Sequence, residues 1–181
     1  MSDVEALLEH ASQARREHRP ADAQRDLAEA LRLCRTSGTP MQLAATLTSL
    51  GQIERDLGHV LPSLEHYQEA AELYRAAGNT LKYAHTIRHL ADIHLDEGRH
   101  DLAEPFYHEA LALYRSEATA QPLDLANAIR GLALLKHATN ERDASITLWE
   151  EALSLYTQVG VAAGVAESSR RLALLRSAQA R

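Results

Sequence analysis

Ala84-His85-Thr86-Ile87-Arg88-His89-Leu90-Ala91, Ala126-Asn127-Ala128-Ile129-Arg130-Gly131-Leu132-Ala133 and Ala166-Glu167-Ser168-Ser169-Arg170-Arg171-Leu172-Ala173 nearly rewrite one another at steps of 42 and 40 residues. Each closes on Arg-x-Leu-Ala. Recurrence at a fixed period marks a unit that cannot bury its apolar face alone and must stack on its neighbours. The expected product is a solenoid, and its useful surface runs along the stack.

The rest of the chain carries the same period. A small residue recurs at Ala30, Ala70, Ala110 and Ala152, three positions after Leu27, Tyr67, Tyr107 and Trp149, so small and bulky residues share one helical face. These are read as the second helices of hairpins. Nineteen residues before each anchor stands another small residue, Ala11, Gly51, Ala91 or Ala133, which marks first helices pinched where two backbones approach closely. Gly58, Gly98 and Asn140 fall inside hairpins, and Gly38, Gly78 and Gly160 fall between them, at points where a left-handed residue ends a helix. Pro20, Pro40, Pro62 and Pro122 sit at or near helix starts. Pro105 lies inside a helix and predicts a late start or a slight kink. Helices are expected near 3–18, 20–36, 41–57, 60–77, 81–97, 100–117, 122–138, 142–158 and 162–178.

Composition agrees with an all-α chain. Aromatic residues make up only 4% and Ala and Leu dominate, which suits closely packed helices better than strands. The single cysteine, Cys34, has no internal disulfide partner and is read as a buried thiol. No signal peptide and no long apolar run appears, so a cytoplasmic protein without a membrane segment is expected. A net charge of −6 argues against general affinity for nucleic-acid phosphates.

The Leu-Gly or Leu-Ala pair of the first helix, the glycine of the turn and the aromatic-x-x-Ala pattern of the second resemble the tetratricopeptide repeat over essentially the whole chain. The 40 to 42 residue spacing resembles the longer-helix variety of kinesin light chains and bacterial regulatory proteins, rather than the common shorter unit. Ser63 and Ser145 stand where that family usually has alanine, Glu54 replaces a typical aromatic, and the first repeat is the most degenerate. The resemblance implies one domain over 1–181, a right-handed α-α superhelix of four hairpins (about 3–38, 41–78, 81–118 and 122–159) closed by a capping helix at 162–178. It also implies a concave face, lined by first helices, that binds extended or helical peptides.

Carried onto this sequence, the inner stripe contains Glu5, Leu8, Ser12, Arg15 and Arg16, then Ala45, Thr48, Gln52 and Arg55, then His85, Arg88, Asp92 and Leu95, then Asn127, Arg130, Leu134 and His137, then Glu167, Arg170 and Leu174. Arginine outnumbers acid along it, so a basic groove on an acidic protein is expected. Arg88, Arg130 and Arg170 recur at equivalent places and would form a ladder of forked donors matched to carboxylates. Asn127, one turn from Arg130, resembles the asparagines with which this family holds peptide backbones. The expected partner is therefore another protein or peptide, acidic in character, bound through Arg55, His85, Arg88, Asp92, Asn127, Arg130, His137 and Arg170. The structural counter-reading is that these arginines pair internally, for example Arg88 with Asp92 at i, i+4.

Other chemistry finds little support. His85 and His89 at i, i+4 have the spacing of two metal ligands, but no HExxH, cysteine pair or suitably spaced acid accompanies them. No nucleophile elbow or phosphate-cradling glycine loop is present, so no enzyme and no cofactor is expected. Trp149, Phe106 and the tyrosines fall at packing positions, which speaks against nucleic acid despite the Arg-rich last helix. The alternative to an adaptor is a self-associating module, a homodimer, in which the last helix docks on a second copy through Leu174 or Leu175.

Overall fold

The computed structural model describes residues 3–177. Among these it contains nine helices and no strand: α1 (Asp3–Arg16), α2 (Pro20–Ser37), α3 (Pro40–Asp56), α4 (Val60–Ala76), α5 (Thr80–Asp96), α6 (His100–Ser116), α7 (Pro122–Ala138), α8 (Arg142–Gln158) and α9 (Ala162–Ser177). Every element lies where the repeat register puts it. The last residue of the expected capping helix, 178, lies outside the described residues.

The punctuation acts through backbone geometry. Gly58, Gly78, Gly98, Gly160 and Asn140 have positive φ, the conformation that stops a helix and turns the chain into the next one. Three details depart from expectation. Gly38 is extended, with φ −78° and ψ 163°, and its small size serves close packing instead: a Cβ there would sit 2.6 Å from the Cα of Cys34. The first hairpin takes its left-handed residue at His18, φ 56°, where the sequence offers neither Gly nor Asn. Pro105 does not delay α6, which runs from His100 through the proline to Ser116. Thr39 closes the start of α3 with a reciprocal cap: its hydroxyl accepts from the Gln42 N–H at 3.2 Å, and the Gln42 side chain accepts from the Thr39 N–H at 2.9 Å.

The chain divides into two compact units, residues 1–93 and 94–181. In the first, α1 packs on α2, α3 on α4, and α2 on α3. Its core joins Ala11, Ala14, Ala23, Leu27, Leu50 and Ile53, with Ala44, Leu47, Ala70 and Tyr74 forming a second cluster. In the second unit, α6 packs on α7, α7 on α8, and α8 on α9. The small anchors Ala30, Ala70, Ala110 and Ala152 are fully buried, as the ladder requires, and so are their bulky partners Leu27, Tyr67, Tyr107 and Trp149.

The pinched Gly51, and Gly131 two residues before the pinch at Ala133, are tight for a physical reason. An ideal Cβ on Gly51 would lie 2.9 Å from the Tyr67 ring, and one on Gly131 would lie 2.3 Å from the Tyr107 ring. The two serines that replace alanine also gain a role. Buried Ser63 donates to the Gly51 carbonyl at 2.7 Å, and buried Ser145 donates to the Ala133 carbonyl at 2.9 Å, so each ties a second helix to the pinch of the first.

Candidate functional site

The first unit presents a cleft of about 390 Å³ whose walls come from the first helices α1, α3 and α5. Ser12 and Arg15 enter from α1, Thr48 and Gln52 from α3, and His85, Arg88 and His89 from α5, with Tyr67 of α4 beneath. Helical spacing explains the set, because residues three and four apart share a face. Among the described residues no carboxylate lines this cleft.

Arg88 is the organising group. Its Nη1 donates to Asp92 Oδ2 at 2.7 Å and its Nη2 to His89 Nε2 at 2.8 Å, while Nε is buried without a hydrogen-bond partner. Arg55 of α3 reaches the same Asp92 oxygen at 3.4 Å. At the cleft edge Arg15 binds Asp56 at 2.5 Å, and Gln52 donates to the other oxygen of that carboxylate at 2.8 Å. The internal pairing of Arg88 with Asp92, foreseen as the counter-reading, is therefore present. Nor does the acid count of the inner stripe anticipate Asp56, which adds a further negative charge beside Arg15.

The histidine pair has defined tautomers. A guanidinium only donates, so Nε2 of His89 is an acceptor and its proton resides on Nδ1; Nε2 of His85, 3.2 Å away, then donates to the same lone pair. The His89 ring stacks on Tyr67 with centroids 5.1 Å apart and meets His85 edge-on at 4.7 Å. Burial, then the neighbouring Arg88 charge and His85, hold His89 well below the usual histidine range. Burial likewise pushes the Tyr67 hydroxyl upward. This arrangement displaces the metal reading, because Arg88 occupies the lone pair a metal would need. Among the described residues no group of three or more His, Cys, Asp or Glu is placed to hold one.

In the second unit the expected site residues are distributed differently. Arg130 of α7 forms a fork to Glu167 of α9, Nε to Oε2 at 2.6 Å and Nη2 to Oε1 at 3.0 Å. That fork, set against the lesser cost of burial, lowers the Glu167 carboxyl. Asn127 accepts from the Tyr156 hydroxyl at 2.8 Å. Arg170 is exposed, and His137 lines a separate pocket with Trp149 and Arg171. Cys34 is buried, its sulfur 3.5 Å from the Thr46 hydroxyl, and His94 stacks on Phe106. Among the described residues no helix is long and apolar enough to cross a membrane.

A family model described as tetratricopeptide repeat matches residues 42–116 and again 82–158, well over half of the sequence. The chain belongs to the tetratricopeptide repeat family. Solved structures of such repeats share its fold. BtubC (BKLC) from P. vanneervenii aligns over 97% of this chain and 80% of its own, with 20% identity and a TM-score of 0.73. MamA (41-end) from Desulfovibrio magneticus RS-1 aligns over 99% and 98%, with 14% identity and a TM-score of 0.64. A Podospora anserina putative kinesin light chain with nearly identical TPR-like repeats aligns over 98% and 97%, with 12% identity and a TM-score of 0.62. Identities this low speak to the fold alone. No curated protein sequence gives a match. Tetratricopeptide repeats are in general scaffolds for protein interaction rather than enzymes, and the all-α hairpin architecture here is of that kind.

Proposed function

We propose that this tetratricopeptide repeat protein is a non-enzymatic adaptor and that the cleft of α1, α3 and α5 captures an acidic segment of another protein. One observation carries the reading: a concave surface lined by Arg15, Arg88, His85, Gln52 and Thr48 and, among the described residues, by no carboxylate. Asp92 and Asp56 pair with these cations and orient them, and each guanidinium has more N–H groups than one acid can engage. The Arg15–Asp56 pair is about half exposed, so water and salt weaken it and a ligand carboxylate can compete for the arginine. Gln52 and Thr48 would serve the ligand backbone.

Fluorescence anisotropy against an array of Asp- and Glu-rich peptides tests the idea. Arg15→Gln and Arg88→Gln, separately and together, should each weaken the best binder by about tenfold, the loss expected for a charge-assisted contact. Raising salt should reduce the wild-type affinity. Arg15 is exposed, so its replacement leaves folding intact. Undiminished binding by the double variant would remove the cleft as the recognition element.

A further inference from the structure

The second unit holds another concavity that the peptide reading does not use. Between α7, α8 and α9 lies a pocket of about 330 Å³, at the small end of the range for small-molecule sites. Fully buried Trp149 forms its floor, Leu175 a wall, and Leu174, 59% exposed, its mouth. The polar lining includes two guanidiniums, Arg142 and Arg171, and no carboxylate among the described residues.

Its hydrogen-bonding state is unusual. Trp149 Nε1, Arg142 Nε and Nη2, and Arg171 Nε are buried N–H groups with no hydrogen-bond partner. Buried donors in folded proteins are nearly always paired, and a set of donors on one pocket calls for a ligand that only accepts. Two acids of α8 and α9 are engaged elsewhere: Glu167, although it feels the Arg171 charge, is forked by Arg130, and Glu150 binds Arg176.

The repeat pattern shows why the pocket occurs here. Arg171 occupies the position held by Gly131 one repeat earlier, and Trp149 that of Tyr107. At the earlier position the glycine and the tyrosine ring are so close that a Cβ would meet the ring at 2.3 Å, so that place is filled.

We propose that this pocket binds a small amphiphilic carboxylate, its head received by Arg142 and Arg171 and its apolar body laid against Leu174 and Leu175, with buried Trp149 beneath them. Trp149 is the sole tryptophan of the chain, so its emission reports occupancy. The whole protein is titrated with n-octanoate, and with n-octanol as the uncharged match. Octanoate should shift Trp149 emission saturably, with a Kd in the micromolar to millimolar range expected for about ten non-hydrogen atoms. Octanol should bind at least about tenfold more weakly, and Arg142→Gln with Arg171→Gln should erase that preference. Circular dichroism confirms folding; should the double variant fail to fold, Leu174→Glu at the exposed mouth should weaken octanoate more than octanol. No saturable response, equal affinity for acid and alcohol, or undiminished octanoate binding by a folded variant would overturn the proposal. So would a concentration-dependent dimer that covers Trp149 and ignores octanoate, which would assign the pocket to a second copy.

Discussion

The repeat places His89 of α5 over Tyr67 in the first unit, Gly131 of α7 over Tyr107 in the second, and Arg171 of α9 beside the pocket that Trp149 floors. One position of one repeat thus gives three outcomes. His89 stacks and accepts the Arg88 guanidinium, Gly131 lets the ring approach the backbone, and Arg171 stands by an open pocket. The scaffold fixes where a side chain stands relative to the preceding aromatic, and its identity decides whether that place becomes a charged network, solid packing or a cavity. A second contrast follows from the arginine ladder. Arg88 is spent on a half-hidden network, with side-chain exposures of 9% for itself and 15% for Asp92, whereas Arg130 holds Glu167 at 39% and 21%.

The largest expected effect tests that contrast. Arg88→Gln should cost about 2–3 kcal/mol in chemical denaturation, because it removes the shortest ion pair of half-buried Asp92 and leaves the longer Arg55 and His89 approaches, while Arg130→Gln should cost under about 1 kcal/mol as a better solvated pair. Equal losses at the two sites would break the comparison.

Next in size is the close approach of glycine to ring. Gly131→Ala should lower stability by about 1–2 kcal/mol, overpacking against Tyr107 outweighing the helix propensity that alanine adds, and Gly51→Ala should cost less because its Cβ clears Tyr67 by more. Thermal melts of the two variants give the ranking, and a larger drop at Gly51 would reverse it.

The smallest and most pH-specific effect belongs to His89. Its folded pKa is depressed, so the unfolded chain takes up a proton first as pH falls. Its contribution is fully present above the unfolded value of about 6.5 and is lost as pH falls from there toward the folded pKa, with a slope of at most about 1.4 kcal/mol per pH unit. The groups facing it are Arg88, His85 and Asp92 on α5, Arg55 on α3 and Arg15 on α1. His89→Gln keeps an acceptor for Arg88 and should flatten the stability profile through this window in pH-dependent urea denaturation. An unchanged profile would show that His89 is not the titrating group. Below about pH 4.5 the carboxylates Glu104, Glu141 and Glu167, whose pKa values are lowered by their hydrogen-bonded cations, should give a separate loss in both proteins.

Much of the fold is legible in sequence because its signals are local. Left-handed glycines and Asn140 mark helix ends, and the alternation of small anchors with Tyr67, Tyr107 and Trp149 sets the register. Where local chemistry is ambiguous the reading slips: Gly38 serves packing rather than a left-handed turn, and His18 takes a role usually left to glycine. The cleft is partly legible, since His85, Arg88 and Asp92 share a face by spacing alone. Its ion pairs are less so, because Arg15 and Asp56 are 41 residues apart and Arg55 and Asp92 are 37 apart, and no periodicity announces such partners.

Sequence alone determined the repeat, its register, the nine helical segments and the residues offered toward each neighbouring helix, since these depend on backbone preferences and contacts within a few turns. Tertiary structure decided which arginines are neutralised, which histidine nitrogen carries the proton, and where Trp149 adjoins a cavity instead of a ring. Those outcomes depend on ångström distances between helices, which summed packing sets and no single segment encodes.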